Sequence, residues 1–563
     1  MRRAPTAVLS IAVAWVGWCA AADAAFTVPD SFTVASARGP RPPSAAVNES
    51  GASLTAYLVD GAVQVRERSA AGVLSAPQSL PLGGEAFSAT AALDDAGNAL
   101  VGVDTAAGPM AFVRPAGGTF GPAQQLGGRE TGISSLAMDG AGNAAAVLTE
   151  YLAVNTTRLL LRLRPAAGVF ARATVLSRGD AGAQLAFDGA GGLAVAVVDQ
   201  PASQFQSGRR LAVRTGTVAG GVGKELVLAR TRGQERIDSA HPAIDAQGRV
   251  QVAYDLSRDT VRSPFRSVRL ATVTQGGTSS RTRVLAGGGA YDSQIATRAG
   301  RTAVAWASIS PTQAGISVSL CTASGRCERS QRVSAPERGF SLSTDRSRPV
   351  AGATEARSSQ PLLRVSRRGD VGVVWLSSPD FGPATALAAI RARGATRFDG
   401  PDPVSPLGSD ATPGQPVWTT NGALLAPFRS GTTIALAQRA GPAAVPRPKD
   451  RSAPKLKLTT PTAADLNAGT LTSRVSCSEP CAIVSRAVIV VGNDIAKPTN
   501  DEPELAAPGR PVVISLPLQR TQRPKLTAGQ RPVRGRLRVS VVDRLGNATT
   551  GETQVCIPRR RDC

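Results

Sequence analysis

The sequence predicts an all-β protein built from a repeated unit of four strands, and three observations support this prediction. A phrase in which two short apolar strands flank a turn of the form Asp-x-x-Gly-x occurs eight times, in four clear copies and four looser ones, and most clearly as AALDDAGNALVGV around Gly97. The turn glycines lie mostly about 50 residues apart, close to the repeat of roughly 40 to 50 residues of a four-stranded propeller blade. The residue six positions after each glycine is large and apolar, as packing between neighbouring sheets requires. Together these observations predict an eight-bladed β-propeller, with seven blades as the alternative.

The turn chemistry explains the form of the phrase. An aspartate at the first turn position can accept a backbone hydrogen bond within the turn, and the glycine tolerates a positive φ. Flanked by apolar runs, such a turn predicts a β-hairpin, so we interpret the aspartates as turn-forming rather than as calcium ligands or catalytic groups. The glycines are Gly51, Gly97, Gly142, Gly191, Gly248, Gly300, Gly369 and Gly422. The residues six positions later are Tyr57, Val103, Leu148, Val197, Tyr254, Trp306, Trp375 and Phe428.

Each repeat continues with a third strand, such as AFVRP, and a more polar fourth strand, such as FGPAQQLGG. The last repeat, which ends the predicted propeller region 25–440, has no fourth strand of its own. The segment FTVPDSFTVASARG at the start of that region resembles the other fourth strands. We therefore expect residues near Phe26 to Ala37 to pair with residues near Thr432 to Arg439. Such closure leaves no open sheet edge.

Residues 1–24 have the three parts of a secretory signal peptide. Arg2 and Arg3 precede an apolar stretch, and Ala22-Asp23-Ala24 forms a small-x-small cleavage site. No later run is apolar enough to span a membrane. We expect a protein that is secreted, extracellular or associated with the cell wall.

Cysteine usage agrees with export. One cysteine, Cys19, lies in the signal peptide, and an even number remains, in three close pairs. Such pairs in an exported chain predict disulfide bonds rather than metal sites, and we expect no cofactor. The predicted pairs are Cys321 with Cys327, Cys477 with Cys481, and Cys556 with Cys563.

The pattern changes after a Pro-rich linker at residues 441–454. Residues 455–563 contain strands separated by polar turns, about the length of one immunoglobulin-like β-sandwich. The ending VVDRLGNATTGETQVCI resembles the last hairpin of bacterial Ig-like modules, with its turn at Asp543 to Asn547. The whole chain thus resembles a secreted bacterial β-propeller repeat protein with a C-terminal Ig-like domain.

The net charge of +23 is carried mainly by arginine, because lysine is nearly absent. A basic surface favours acidic glycans, wall polymers or nucleic acid. The alternative is that the charge reflects solubility and codon bias, since the arginines are scattered through the repeats. As partners we consider an acidic glycan, a wall polymer or another surface protein. We expect neither nucleic acid nor a stable oligomer.

A search for catalytic motifs finds no nucleophile elbow, P-loop, dinucleotide fingerprint or zinc-protease motif. The single histidine, His241, is interpreted as polar surface of a loop. The predicted propeller is similar to that of bacterial sialidases, whose turns read Ser-x-Asp-x-Gly-x-x-Trp. Here the turns lack that serine and aromatic residue, and no arginine triad can be placed.

A binding site is predicted on the face that carries the longer loops, because function tends to lie on variable loops of a rigid scaffold. Three consecutive repeats place an aromatic residue between the second and third strands, namely Tyr151, Phe205 and Phe265, with Arg209 and Arg262 nearby. Aromatic and arginine side chains together suit an acidic glycan or a peptide. The stretches predicted to be long loops are 199–210, 228–242, 255–267 and 336–360.

Three functions are compatible with these features. The first is a non-catalytic binding or scaffold protein whose propeller face recognises a glycan, an acidic polymer or a protein at the cell envelope. The alternative is a glycan-active enzyme, a sialidase-like hydrolase or a lyase, which would need a pair of carboxylates at the channel mouth. A purely structural envelope component is the third.

Overall fold

The computed structural model describes most of the chain between residues 27 and 557, and its elements are β-strands and turns. Within those ranges no helix is long and apolar enough to cross a membrane. The described residues are 27–33, 43–153, 156–179, 181–189, 191–199, 209–231, 235–245, 247–258, 265–273, 280–309, 314–334, 359–377, 384–406, 409, 411–431, 433–439, 454–459, 470–479, 481–491, 494–496, 504–506, 508–517, 533–543 and 548–557.

Successive hairpins before residue 440 form antiparallel sheets, which we number 1 to 8 along the chain. The chain begins with β1 (Thr27–Thr33), which belongs to sheet 8. Sheet 1 contains β2 (Ser44–Val47), β3 (Ser53–Val59), β4 (Ala62–Arg68) and β5 (Gln78–Ser79). Sheet 2 contains β6 (Ala86–Leu93), β7 (Ala99–Thr105), β8 (Gly108–Arg114) and β9 (Gln124–Gln125). Sheet 3 contains β10 (Thr131–Met138), β11 (Ala144–Ala153), β12 (Thr156–Arg164) and β13 (Thr174–Arg178).

The remaining sheets of this region follow the same order. Sheet 4 contains β14 (Ala181–Phe187), β15 (Gly192–Asp199), β16 (Arg210–Thr217), β17 (Gly221–Val222) and β18 (Leu226–Arg230). Sheet 5 contains β19 (Glu235–Ile244), β20 (Val250–Arg258), β21 (Phe265–Val273) and β22 (Ser280–Ala286). Sheet 6 contains β23 (Ala290–Arg298), β24 (Arg301–Ile309), β25 (Ala314–Thr322) and β26 (Gln331–Arg332). Sheet 7 contains β27 (Ser359–Val365), β28 (Val371–Ser377), β29 (Thr385–Arg391) and β30 (Asp399–Pro403). Sheet 8 contains β31 (Ala411–Pro413), β32 (Val417–Trp418), β33 (Leu424–Ser430) and β34 (Thr433–Arg439), with β1.

These sheets pack face to face in a closed order. One hydrophobic cluster joins each sheet to the next, from sheets 1 and 2 through to sheets 7 and 8. The last sheet then returns to the first, because Tyr57 of β3 packs on Ile434 of β34, and Val47 packs on Leu425 and Leu436. The architecture is therefore all-β and consistent with a β-propeller.

The position six residues after each turn glycine is buried in every repeat. All eight residues predicted there are at most 5% exposed. In the four Asp-x-x-Gly turns that begin with aspartate, one carboxylate oxygen accepts the backbone N–H four residues on, as Asp94 does from Asn98 at 2.7 Å. The turn-forming role of these aspartates is thus confirmed.

The N-terminal strand closes sheet 8. β1 pairs antiparallel with β34, in a register that runs from Thr27 opposite Gln438 to Thr33 opposite Thr433. This is the pairing predicted from the missing fourth strand of the last repeat, and it is confirmed.

The C-terminal region forms two further sheets around one core. Leu471 and Ile514 of the first sheet and Ile483 and Leu537 of the second are buried in a single cluster. Sheet 9 contains β35 (Leu456–Leu458), β36 (Thr470–Cys477) and β40 (Val512–Pro517). Sheet 10 contains β37 (Cys481–Val491), β38 (Asp494–Ala496), β39 (Glu504–Ala506), β41 (Val533–Asp543) and β42 (Ala548–Ile557).

Two of the predicted disulfide bonds are present. Cys321–Cys327 closes the turn after β25, and Cys477–Cys481 joins the end of β36 to the start of β37. The third predicted pair includes Cys563, which lies outside the described residues.

Candidate functional site

The strand order gives each sheet of the ring two ends. At one end the second strand joins the third and the fourth joins the next sheet; we call this end the loop face. The Asp-x-x-Gly turns lie at the other end, which we call the turn face. Tyr151 and Leu152, at the loop-face end of β11, are 57% and 54% exposed, the kind of apolar exposure that marks interaction surfaces when it is clustered.

The structure brings three of the five predicted site residues to the loop face of sheets 3, 4 and 5. Besides Tyr151, Phe265 begins β21, where its backbone pairs with Arg258. Arg209 directly precedes β16. Phe205 and Arg262 lie outside the described residues.

Arg209 contacts the neighbouring sheet. Its Nη1 donates a hydrogen bond to the carbonyl oxygen of Ile237 at 2.8 Å and lies 3.9 Å from Oδ1 of Asp238. Both partners belong to β19, so the guanidinium ties sheet 4 to sheet 5. A ligand could reach this side chain only at its remaining exposed edge, since 19% of the side chain is accessible.

Other arginines on the loop face were not singled out by the sequence. Arg178 ends β13 and Arg230 ends β18, and both are exposed. Arg266 is exposed as well and lies over the ring of Tyr291, 5.2 Å from its centroid. The signal for Arg178 and Arg230 was position, because the last residue of a fourth strand must reach the loop face.

Several arginines of the repeats are structural instead. They end the third strands of sheets 1, 2 and 3, are at most 9% exposed, and each donates to the carbonyl oxygen of the turn glycine of its own sheet. A hydrogen bond from a charged group to a buried carbonyl contributes about 1.5–3 kcal/mol. The pairs are Arg68 with Gly51 at 3.0 Å, Arg114 with Gly97 at 3.2 Å and Arg164 with Gly142 at 3.2 Å.

Asp255, on β20, is a buried carboxyl group between sheets 5 and 6. Burial raises its pKa to about 6, although it accepts hydrogen bonds from Ser239 Oγ at 2.8 Å and from the Ser293 backbone N–H at 3.1 Å. The same arrangement recurs between sheets 2 and 3, where Asp104 accepts from Ser88 Oγ at 2.5 Å and from the Ile133 N–H at 2.8 Å. Recurrence at equivalent strand positions indicates a clamp between sheets rather than a unique reactive acid.

His241 does not lie in a loop, and its interpretation as loop surface was wrong. It belongs to β19, and its Nε2 lies 3.2 Å from Nε2 of Gln294 on β23. Burial lowers its pKa to about 4, so the imidazole is neutral at pH 7 and can accept the amide proton. The long loop predicted at 228–242 is in fact mostly strand, since β18 ends at Arg230 and β19 begins at Glu235. Within the described ranges no group of three or more His, Cys, Asp and Glu is placed to hold a metal ion.

Comparisons with known proteins show no family for this chain. No family model and no curated protein matches the chain. Prolyl oligopeptidase B from Galerina marginata is 9% identical over 70% of this chain and 55% of its own, with a TM-score of 0.38. The β-propeller domain of the Trilobed protease from Pyrococcus furiosus is 9% identical over 67% of this chain and 98% of its own, with a TM-score of 0.34. Aleuria aurantia lectin is 11% identical over 65% of this chain and 97% of its own, with a TM-score of 0.30. The chain thus matches only about half of the peptidase, and likeness at this level carries no information on activity.

Proposed function

We propose that this chain is a secreted, non-catalytic binding protein in which an eight-bladed β-propeller presents its loop face to an acidic glycan or polymer of the cell envelope, and an Ig-like sandwich acts as spacer. The observation that carries the proposal is the exposed pair Tyr151–Leu152 among exposed arginines. The net charge of the whole chain, +23, supports the proposal further because it favours an acidic partner.

The edge of sheet 3 has the layout of a binding strip. The Tyr151 backbone N–H donates to the carbonyl oxygen of Glu130 at 2.8 Å, so the exposed Arg129 lies on one side of the ring. On the other side Tyr151 is opposite Thr157, whose hydroxyl donates to the carbonyl of Gly179 beside Arg178. Two strand spacings, about 10 Å in all, separate the backbone of Tyr151 from that of Arg178. An arginine on each side of the tyrosine at this end of sheet 3 suits an acidic sugar that stacks on the Tyr151 ring while its carboxylates bind the arginines.

Export and domain organisation are part of the proposal. The two disulfide bonds support an oxidising compartment. The closed order of sheets 1 to 8 supports eight blades, and the shared core of sheets 9 and 10 supports a sandwich. We further propose that the protein acts as a monomer and that a surface protein could occupy the same face.

Binding to immobilised polygalacturonate, with neutral galactan as the reference polymer, tests the proposal. Because the arginines supply attraction, the full chain should bind the acidic polymer, and binding should weaken with salt. The double variant Tyr151→Ser/Arg178→Ser should bind at least tenfold more weakly. Val169→Ser is the matched control, since Val169 is 68% exposed and follows β12 on the turn face of the same sheet. Equal binding by both variants would remove the loop face as the site.

A glycan-active enzyme remains the second candidate because of Asp255, whose raised pKa is typical of general acids. The recurrence of its hydrogen bonds at Asp104 favours the structural role. Release of reducing sugar from acidic glycans by the full chain, abolished by Asp255→Asn, would establish the enzyme instead.

A further inference from the structure

The turns of five sheets bring one residue each towards the axis of the ring, at the turn face. These residues lie two positions before the turn glycine of their sheet, and they meet at Glu49. The Glu49 carboxylate forms ion pairs with Arg298 and, at 2.5 Å, with Arg367. Its backbone N–H donates to Asp95 at 3.1 Å, and its carbonyl oxygen accepts from the Thr420 N–H at 2.7 Å. Sheets 1, 2, 6, 7 and 8 can meet in this way only near the axis.

We call the turn residues that meet at Glu49 the axial cluster, and its positive and negative charges balance. Glu49 and Asp95 offset Arg298 and Arg367, and Arg367 also lies 3.3 Å from Asp95. Gly140 of sheet 3 lies beside Asp95, since a Cβ added to Gly140 would lie 3.7 Å from the Asp95 carboxylate. The turn residues therefore form a floor of paired charges across one end of the ring.

A third arginine lies just inside this floor. Arg364 is on β27, two residues before the turn of sheet 7, and is paired with Gly372. Solvent reaches its side chain, yet burial and the charge of Arg298 lower its pKa to about 10. The turn that follows β27 carries Arg367, which pairs with Glu49, so this exposed guanidinium lies close to the axial residues and beside Arg298. In the part of the chain that the structure describes, its guanidinium has no hydrogen-bond or ion-pair partner.

We propose that the axial channel, just inside the turn face, binds a small oxyanion at Arg364. The planar guanidinium presents parallel N–H donors that match a carboxylate, sulfate or phosphate group in two hydrogen bonds. The neighbouring Arg298 disfavours a second positive charge at Arg364. A bound anion offsets that repulsion. The site is on the opposite end of the ring from Tyr151, so it does not depend on the loop-face function.

Thermal unfolding of the full chain in sodium sulfate, with sodium chloride used to hold ionic strength constant, tests this site. A ligand that binds only the folded state raises Tm as its concentration exceeds Kd. The native chain should show a saturable rise in Tm, and Arg364→Gln should lose it. The matched control is Arg368→Gln, because Arg368 is an exposed arginine in the adjoining turn. Its response to sulfate should equal that of the native chain.

Further arms separate the sources of the oxyanion and guard against misfolding. Galacturonic acid that reproduces the rise in Tm would identify a ligand carboxylate, whereas sulfate and phosphate alone would identify a free-ion site. Arg364→Lys keeps the charge but loses the paired donors, so its affinity should fall at least tenfold even if Arg364→Gln fails to fold. Tyr151→Ser should leave the sulfate response unchanged. A native chain without a saturable response, or an undiminished response in both Arg364 variants, would overturn the proposal.

Discussion

Arginine occupies two kinds of environment in this molecule, and the side chain at the end of the third strand belongs to the buried kind. Arg164 is 7% exposed, and burial lowers its pKa. Its bond to the carbonyl of Gly142 fastens the turn to the third strand. The sequence shows this arginine as one of many charges, and only the strand register reveals that it faces the turn. The composition of the chain therefore does not show which of its arginines lie at the surface.

We expect Arg164→Leu to lower the free energy of unfolding by about 1–3 kcal/mol, the cost of a buried carbonyl left without its donor. Urea denaturation measures the change. Arg172→Leu, at an exposed position of the same sheet, should change the stability by less than about 0.5 kcal/mol. Similar losses for the two variants would show that the bond to Gly142 contributes nothing.

Two titratable groups in sheet 5, Asp255 and His241, should have opposite effects on stability between pH 4 and 6.5. The pKa of Asp255 is raised from 3.8 to about 6 on folding, so its contribution is fully present below pH 3.8 and is lost as pH rises through 6. The pKa of His241 is lowered from 6.5 to about 4, so its contribution is present above pH 6.5 and is lost as pH falls through 4. The native chain should therefore show little pH dependence in this window.

Single variants should show the two opposite pH dependences of the free energy of unfolding. Denaturant unfolding at half-unit steps of pH measures them. In Asp255→Asn, stability should rise with pH, by at most about 1.4 kcal/mol per unit for one proton. In His241→Gln, it should fall with pH, since Asp255 then acts alone. Parallel pH profiles for the two variants would contradict the assignment.

At the scale of elements, β34 is held to sheet 7 by a buried ion pair. Nη1 of Arg439 lies 3.1 Å from Oδ2 of Asp402 on β30, and both side chains are 1% exposed. Nη2 also pairs with Asp399 at 2.6 Å, which is 40% exposed. This contact joins the strand that receives β1 to the neighbouring sheet.

Asp402→Ala should lower the free energy of unfolding by about 3–5 kcal/mol, because it leaves Arg439 buried without its most enclosed partner. Asp399→Ala should cost less, because water can solvate that exposed side. The double variant Arg439→Met/Asp402→Leu should recover much of the loss, since an apolar pair needs no compensation. A calorimetric scan orders the three variants, and a double variant less stable than Asp402→Ala would refute this reasoning.

The hairpins were predictable from the sequence because their information is local. Asp94 and Gly97 lie three residues apart and specify one turn between them. The placement of His241 was not predictable, since its partner Gln294 lies on another sheet and no local pattern connects them. The same holds for the axial residues. Glu49 and Arg298 are 249 residues apart, and only the closed order of the sheets brings them together.

At the scale of the molecule, the ring depends on pairing between the two ends of a long segment. Cysteines placed at Thr33 and Thr433, which are Cα partners, should form a disulfide bond across β1 and β34. A bond that closes a loop of 400 residues (433 minus 33) is worth up to about 6 kcal/mol in the chain-entropy model. We expect Tm to rise and free thiols to disappear on oxidation.

The control pairs Thr33→Cys with Thr412→Cys. Thr412 lies on β31, at the far side of sheet 8 from β1, so this pair should stay reduced. Disulfide formation by the control but not by the partner pair would mean that β1 does not close the ring.

The closure by β1 also sets a schedule for synthesis. Of the strands in sheet 8, β1 is synthesised first and its partner β34 last, so Thr33 can pair only after Thr433 has been made. At roughly 5–20 residues per second, that wait lasts about 20–80 s. During this interval the completed sheets can stack, but the edge that will meet β34 stays open to other chains. A factor that covers unpaired strands during synthesis would protect β1 most, and the need for it would end when β34 has been made.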